Sequence, residues 1–254
     1  MRKPLIFITN DDGIKAPGLR ALIEAVKGLG EIVVVAPENG MSGMSHALTV
    51  STILRLKEVA KEEDYIEFYC TGTPVDCVKL GGHKAITRKP DLIVSGINHG
   101  SNSSINVIYS GTMAAAIEGA IQGIPSIGFS LLDHSENADF SLAIEYARKI
   151  AIKVLAEGLP AFTCLNVNFP KNHKNEVKGI KVCRQAMADW DDEYVETLDP
   201  HHHKYFWLTG EFANSDMAED TDEWALSNNY ISIVPVHTDY TNHKVINQLK
   251  SFEL

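Results

Sequence analysis

Residues 5–13 read Leu5-Ile6-Phe7-Ile8-Thr9-Asn10-Asp11-Asp12-Gly13, a short apolar run that ends abruptly in two carboxylates and a glycine. An apolar run of this length predicts a strand buried on both faces. Working outward, Pro17 can open a helix, and Leu19, Leu22, Ile23 and Val26 give that helix an apolar stripe before Gly28 and Gly30 end it. Glu31–Ala36 (EIVVVA) reads as a second β-branched strand closed by Pro37, and Asp91–Ser95 (DLIVS) as another. The Ala-rich segment Thr112–Gln122 predicts a helix, Ser126–Ser130 a strand, Trp224–Asn228 a short helix and Ile231–Val236 a late strand. This alternation predicts an α/β fold: an open, mostly parallel sheet with helices on both faces. Such sheets bind ligands in the crevice beyond the carboxyl ends of their strands.

The composition sets limits. With 254 residues, 44% of them hydrophobic, the chain can bury a core without disulfides. A net charge of −10 excludes polynucleotide binding through a broad basic surface. A small phosphorylated ligand stays open, because a local cation can invert the field at a site. Cys70, Cys77, Cys164 and Cys183 form no CxxC pair and read as reduced, buried thiols. The start, MRKPLIFITNDDG, lacks the long apolar stretch of a signal peptide, and no segment reaches membrane-span length, so the expected compartment is the cytoplasm.

The strongest local signal is Thr9–Gly13. Adjacent carboxylates at the edge of an apolar core repel one another, and a cation would compensate them. Their hard oxygens suit Mg²⁺ or Mn²⁺. The same residues would also make an Asx turn and a helix cap. Pro37–His46 and Gly96–Asn102 extend from the next strands to the same rim, carrying hydroxyl and amide oxygens. Tyr109-Ser110-Gly111-Thr112 precedes the Ala-rich helix, whose start suits a phosphate, although Ser110 or Thr112 could equally be an ordinary cap. Asp76, in Thr71–Cys77, reads as a helix-start acid. His46 and His99 read as solvated loop histidines on the rim, either of which could carry a proton. About residues 188–213, rich in aromatics and charge and including Trp190 and Trp207, predict a protruding hairpin. About 240–254 predict a polar C-terminal arm.

Taken in order, these motifs resemble the SurE family, stationary-phase survival proteins with nucleotidase activity. The resemblance rests on Thr9–Gly13 with Ala16-Pro17-Gly18, on Val35-Ala36-Pro37 running to Ser42-Gly43, and on Thr71–Val78. It continues through Ser95–Asn98 with Gly100 and Asn102, Tyr109–Thr112 with Ala115, Ala116, Glu118 and Gly119, and Tyr230–Pro235 with Asp239 and Thr241. It implies one SurE-like domain over residues 1–254 with a Rossmann-like core. It also implies one divalent cation per subunit, Mg²⁺ or Mn²⁺, on Asp11, Asp12, Ser42 and Asn98, with Asp11 and Asp12 catalytic. A phosphate pocket is implied at Asn102, Ser110, Gly111 and Thr112, and a homodimer or homotetramer built with hairpin and arm. The implied reaction is hydrolysis of nucleoside 5′-monophosphates, with 3′-monophosphates and short polyphosphate as further substrates. The sequence departs from the family pattern at Ser103-Ser104 and at His201–His203.

Two other classes bear on the expectation. A metal-dependent nucleotide-binding regulatory module would carry the same motifs without turnover. A nicotinamide-dependent oxidoreductase would need G-x-G-x-x-G after the first strand, where NDDGIKAPG stands.

Overall fold

The apolar run at residues 5–9 forms β1 (Leu5–Thr9), every residue of which is buried in the computed structural model. The structure describes residues 2–135, 137–171 and 177–252. Helix α1 (Pro17–Val26) starts at its proline, and β2 (Glu31–Pro37) follows. Then come β3 (Leu56–Glu62), β4 (Tyr65–Cys70), α2 (Pro74–Lys84), β5 (Leu92–His99), the short α3 (Asn106–Tyr109) and α4 (Gly111–Ile121). The chain continues through β6 (Ser126–Leu131), α5 (Ser141–Glu157), β7 (Thr163–Phe169) and β8 (Ile180–Val182). It ends with β9 (Ala188–Leu198), β10 (Lys204–Asn214), α6 (Asp222–Ser227), β11 (Ile231–His237) and α7 (Ile246–Leu249).

Nine strands make the main sheet, in the order β3-β4-β2-β1-β5-β6-β7-β11-β8. The neighbours from β4 through β7 are parallel, while β3 and β11 run antiparallel to β4 and β7. The expected mostly parallel sheet is present, with an antiparallel strand toward each edge. Alternation divides its side chains between two cores. Ile6, Ile8, Ile32, Val34, Leu92 and Val94 pack with α1 and α5, whereas Leu5, Phe7, Val33, Val35 and Ile93 pack with α2. Helix α4 is buried along nearly its whole length, which its small alanines permit. No described helix is long and apolar enough to cross a membrane.

Two features position the site. From β1 the chain winds outward through β2 and β4, then returns to lay β5 on the other side of β1, which makes the β1–β5 crevice a topological switch point. Strand β5 also runs four residues past Ser95, through a register shift between Ser95 and Asn98. Gly96 holds φ +121° there, and a Cβ would lie 2.3 Å from the Phe129 carbonyl oxygen. The irregularity re-aims Asn98 at the strand's end.

Strands β9 and β10 pair from Ala188↔Asn214 to Leu198↔Lys204 as a sheet of their own. Tyr194, Val195, Phe206, Trp207 and Leu208 are exposed along it. Helix α7 buries no residue, and Ile246, Leu249 and Phe252 lie exposed in the predicted arm, whose last two residues fall outside the described ones.

Candidate active site

The loop after β1 is closed by Asn10, whose side-chain amide donates to the Gly13 carbonyl at 2.9 Å. Gly13, at φ +98°, lets the loop after β2 approach so closely that a Cβ would lie 3.1 Å from the Asn39 carbonyl carbon. Two backbone bonds stitch these loops together, Ile14 N–H to Pro37 O at 2.8 Å and Met41 N–H to Asp11 O at 2.7 Å. The second brings the neighbouring Ser42 to the same cavity as Asp11.

Asp11 is 4% exposed, and its Oδ1 accepts the Thr112 hydroxyl. Burial pushes its carboxyl up to about 6, against the pull of the Thr112 hydroxyl and with Asp12 adding to the rise. Asp12 is more open; its Oδ2 accepts the His99 backbone N–H at 3.3 Å and lies 3.7 Å from His99 Nδ1. Asn98 turns its donor end inward, giving Nδ2 to the Gly100 carbonyl at 2.9 Å. Its Oδ1 is unengaged among the described residues.

The two carboxylates therefore share an end of the sheet with the neutral oxygens of Ser42 and Asn98. Among the described residues no Lys or Arg pairs with Asp11 or Asp12, and no group of three His, Cys, Asp or Glu gathers around a metal position. An all-oxygen set holding one buried, uncompensated carboxylate fits a hard divalent cation.

Helix α4 starts beside this pair. Ser110 caps it, its Oγ accepting the Met113 N–H at 3.0 Å, which leaves the hydroxyl hydrogen to donate elsewhere. Gly111 and Thr112 work on Asp11: a Cβ at 111 would lie 2.8 Å from the Asp11 Cβ, and the Thr112 hydroxyl is spent on its carboxylate. The close approach that Gly111 permits is therefore to Asp11. Asn102 is 5% exposed and held on three sides, by Ser130 through its amide and by Asn168 and Asn166 through its backbone.

A cavity of about 380 Å³ opens at this rim, bounded by Asp11, Ser42, Asn98, Asn102 and Ser110 from the predicted set. Asp12, Gly111 and Thr112 stand outside its lining. Trp190, Phe212 and Glu223, which the sequence reading leaves out of the site, also line it. Burial raises the Glu223 carboxyl, and its Oε1 accepts the Ser103 hydroxyl. Neither rim histidine is simply solvated. His46 Nε2 meets the buried Glu118 at 3.2 Å, and His99 sits edge-on to Phe140. Asp76 is the expected helix-start acid, in a capping box with Thr73. His201–His203 lie exposed at the hairpin turn.

Fold and site together define a doubly wound α/β protein with hard oxygen donors beside a helix start, at the switch point of its sheet. The family model for survival protein SurE matches residues 6–192, and the chain belongs to that family. A Flavobacterium psychrophilum protein named 5′-nucleotidase SurE is 55% identical, covering 100% of this chain and 99% of the relative. A Cytophaga hutchinsonii protein of the same name is 52% identical, over 98% of this chain and 96% of the relative. The crystal structure of the SurE protein from Aquifex aeolicus superposes with a TM-score of 0.84 at 42% identity, covering 99% of this chain and all of that one.

Proposed function

We propose that this chain is a divalent-metal-dependent phosphatase that hydrolyses nucleoside 5′-monophosphates to nucleoside and phosphate. One observation carries the reading: a buried carboxylate, Asp11, braced by Thr112 beside Asp12, opens onto a cavity at the switch point. Full-length relatives at 52–55% identity, named 5′-nucleotidase, support the substrate class. On this reading 3′-monophosphates and short polyphosphate are secondary substrates, the protein is cytoplasmic, and hairpin and arm build a homodimer or homotetramer.

Asp11, Asp12, Ser42 and Asn98 would hold one Mg²⁺ or Mn²⁺. When bound, such a cation supplies Lewis-acid polarisation of a phosphoryl oxygen and of the attacking water. Thr112 fixes the Asp11 carboxylate, and the His99 N–H fixes Asp12, so the donors are ordered before substrate arrives. Ser110 and Asn102 face the cavity with hydrogens left to donate to non-bridging phosphoryl oxygens as their charge redistributes.

Phosphate release from a panel of nucleoside monophosphates, with Mg²⁺, with Mn²⁺ and with chelator, tests the reading. Steady release that stops with chelator is the expected result. A pure protein that binds nucleotide and releases no phosphate with any divalent metal would be a binding module instead.

A further inference from the structure

The cavity bearing Asp11 has more wall than a phosphate needs, and part of that wall is aromatic. Trp190 and Phe212 oppose each other in the β9–β10 register at the root of the hairpin. Their ring centroids lie 5.5 Å apart at 62°, an edge-on pair. Trp190 stays 41% exposed and lines the cavity, so its own chain does not cover it fully. Its orientation is nevertheless fixed, because the indole N–H donates to Asn106 Oδ1 at 2.8 Å. Polar groups flank the rings. Among the described residues Glu223 engages only Oε1, through the Ser103 hydroxyl, and the Asn106 amide nitrogen is unengaged. A fixed aromatic face with one acceptor and one donor beside it recognises a flat heterocycle with a polar edge.

We infer that Trp190 and Phe212 form the stacking wall for the nucleobase, with Glu223 and Asn106 meeting the polar edge of the nucleoside. This rests on the nucleotidase reading above and extends it to substrate selection. Every base offers a π-face, so a stacking wall tolerates different bases while disfavouring phosphate esters that have none. The hairpin root is then part of the site, whatever the outer hairpin does.

The test compares kcat/KM for AMP, UMP and ribose 5-phosphate in the parent protein and in Trp190→Ala, Trp190→Phe and Phe212→Ala. Trp190→Ala should lower the nucleotide-to-ribose-5-phosphate ratio about 10- to 100-fold, chiefly through KM for the nucleotides. Trp190→Phe, which keeps a ring, should retain most of the ratio. Binding of AMP, but not of ribose 5-phosphate, should quench tryptophan fluorescence, and Trp190→Phe should remove that quench, a readout independent of turnover. An unchanged ratio in Trp190→Ala, including equal losses on all three substrates, overturns the stacking wall, as does an unquenched parent protein. A parent protein that hydrolyses ribose 5-phosphate but no nucleotide refutes the nucleotidase reading instead.

Discussion

The corner between β1 and α4 and the hairpin β9–β10 solve opposite problems. In the corner polar groups are buried, and the ones that line or brace the cavity have named partners: Asp11 with Thr112, Asn102 with Ser130, Ser110 with Met113. Along the hairpin large apolar groups are exposed, and past Trp190 the strands pair mainly with each other. A buried carboxylate lacking a cation costs stability, and exposed aromatics lack the burial that would stabilise them. On the proposed reading, each region is completed by something outside the chain. The corner suits an ion, and the outer hairpin suits a protein surface such as a second copy.

The largest expected effect tests the corner. Asp11→Asn should lower kcat/KM on the order of 10³-fold, by removing a charged ligand. The same change should stabilise the metal-free protein. With its pKa raised from an ordinary 3.8 to about 6, Asp11 penalises the folded state above pH 6, by up to about 3 kcal/mol, and not below pH 3.8. The gain in melting temperature should therefore be greatest at neutral pH and vanish toward pH 4. A variant no more stable than the parent at pH 7 without metal would show that the corner tolerates its charge unaided.

Thr112→Val keeps the shape of the side chain and deletes the hydroxyl. If Thr112 orders Asp11, kcat/KM should fall about 10- to 100-fold, with a matching loss of metal affinity by titration calorimetry. Intact metal affinity would break the link between the start of α4 and the ligand set.

Glu118, 3% exposed, gives a smaller effect. Burial alone would raise its carboxyl, but hydrogen bonds from His46, Lys79 and Gln122 outweigh burial and hold it at about 2. A lowered pKa contributes stability that is present above the ordinary 4.5 and is lost as pH falls from there toward 2. Glu118→Gln should cost about 1–3 kcal/mol at pH 7 by denaturant titration and flatten the acid limb of the stability curve. A variant with the parent's acid limb would remove the brace between the Ser42 loop and α4.

Shortening the hairpin beyond Trp190 and Phe212, with a tight turn replacing residues 193–209, should change turnover least. Its expected readout is a lower oligomeric mass by light scattering. An unchanged mass would mean that the exposed aromatics do not sit between subunits, which would remove the contrast between the two regions.

The central strands were legible because burial on both faces leaves unbroken apolar runs, as in Leu5–Thr9 and Glu31–Ala36. Strand β3 was not, since LKEVAKE has no fully buried residue and carries no such run. Helix α5 was open to reading from the spacing of Ala143, Ala147, Ile150, Ala151 and Val154 and from Gly158 just past its end, although Phe140 gives its start no capping side chain. At the site, the acidic pair and the helix start were visible as short motifs. That Thr112 serves Asp11 was not, because the bond joins residues 101 positions apart. Trp190, Phe212 and Glu223 were hidden for a related reason. The hairpin root and α6 carry them to the cavity, and local pattern does not state where those elements dock.

The placement of β5 against β1 has a further consequence, for the growing chain. Asp11 and Asp12 are made roughly a hundred residues before Asn98 and Thr112. Domains fold as units during synthesis, at about 5–20 residues per second. For several seconds the nascent chain carries its two carboxylates in water, where their repulsion is screened and costs little. The electrostatic penalty arises only when β5 and α4 arrive to enclose Asp11, at the moment the remaining oxygen donors come within reach.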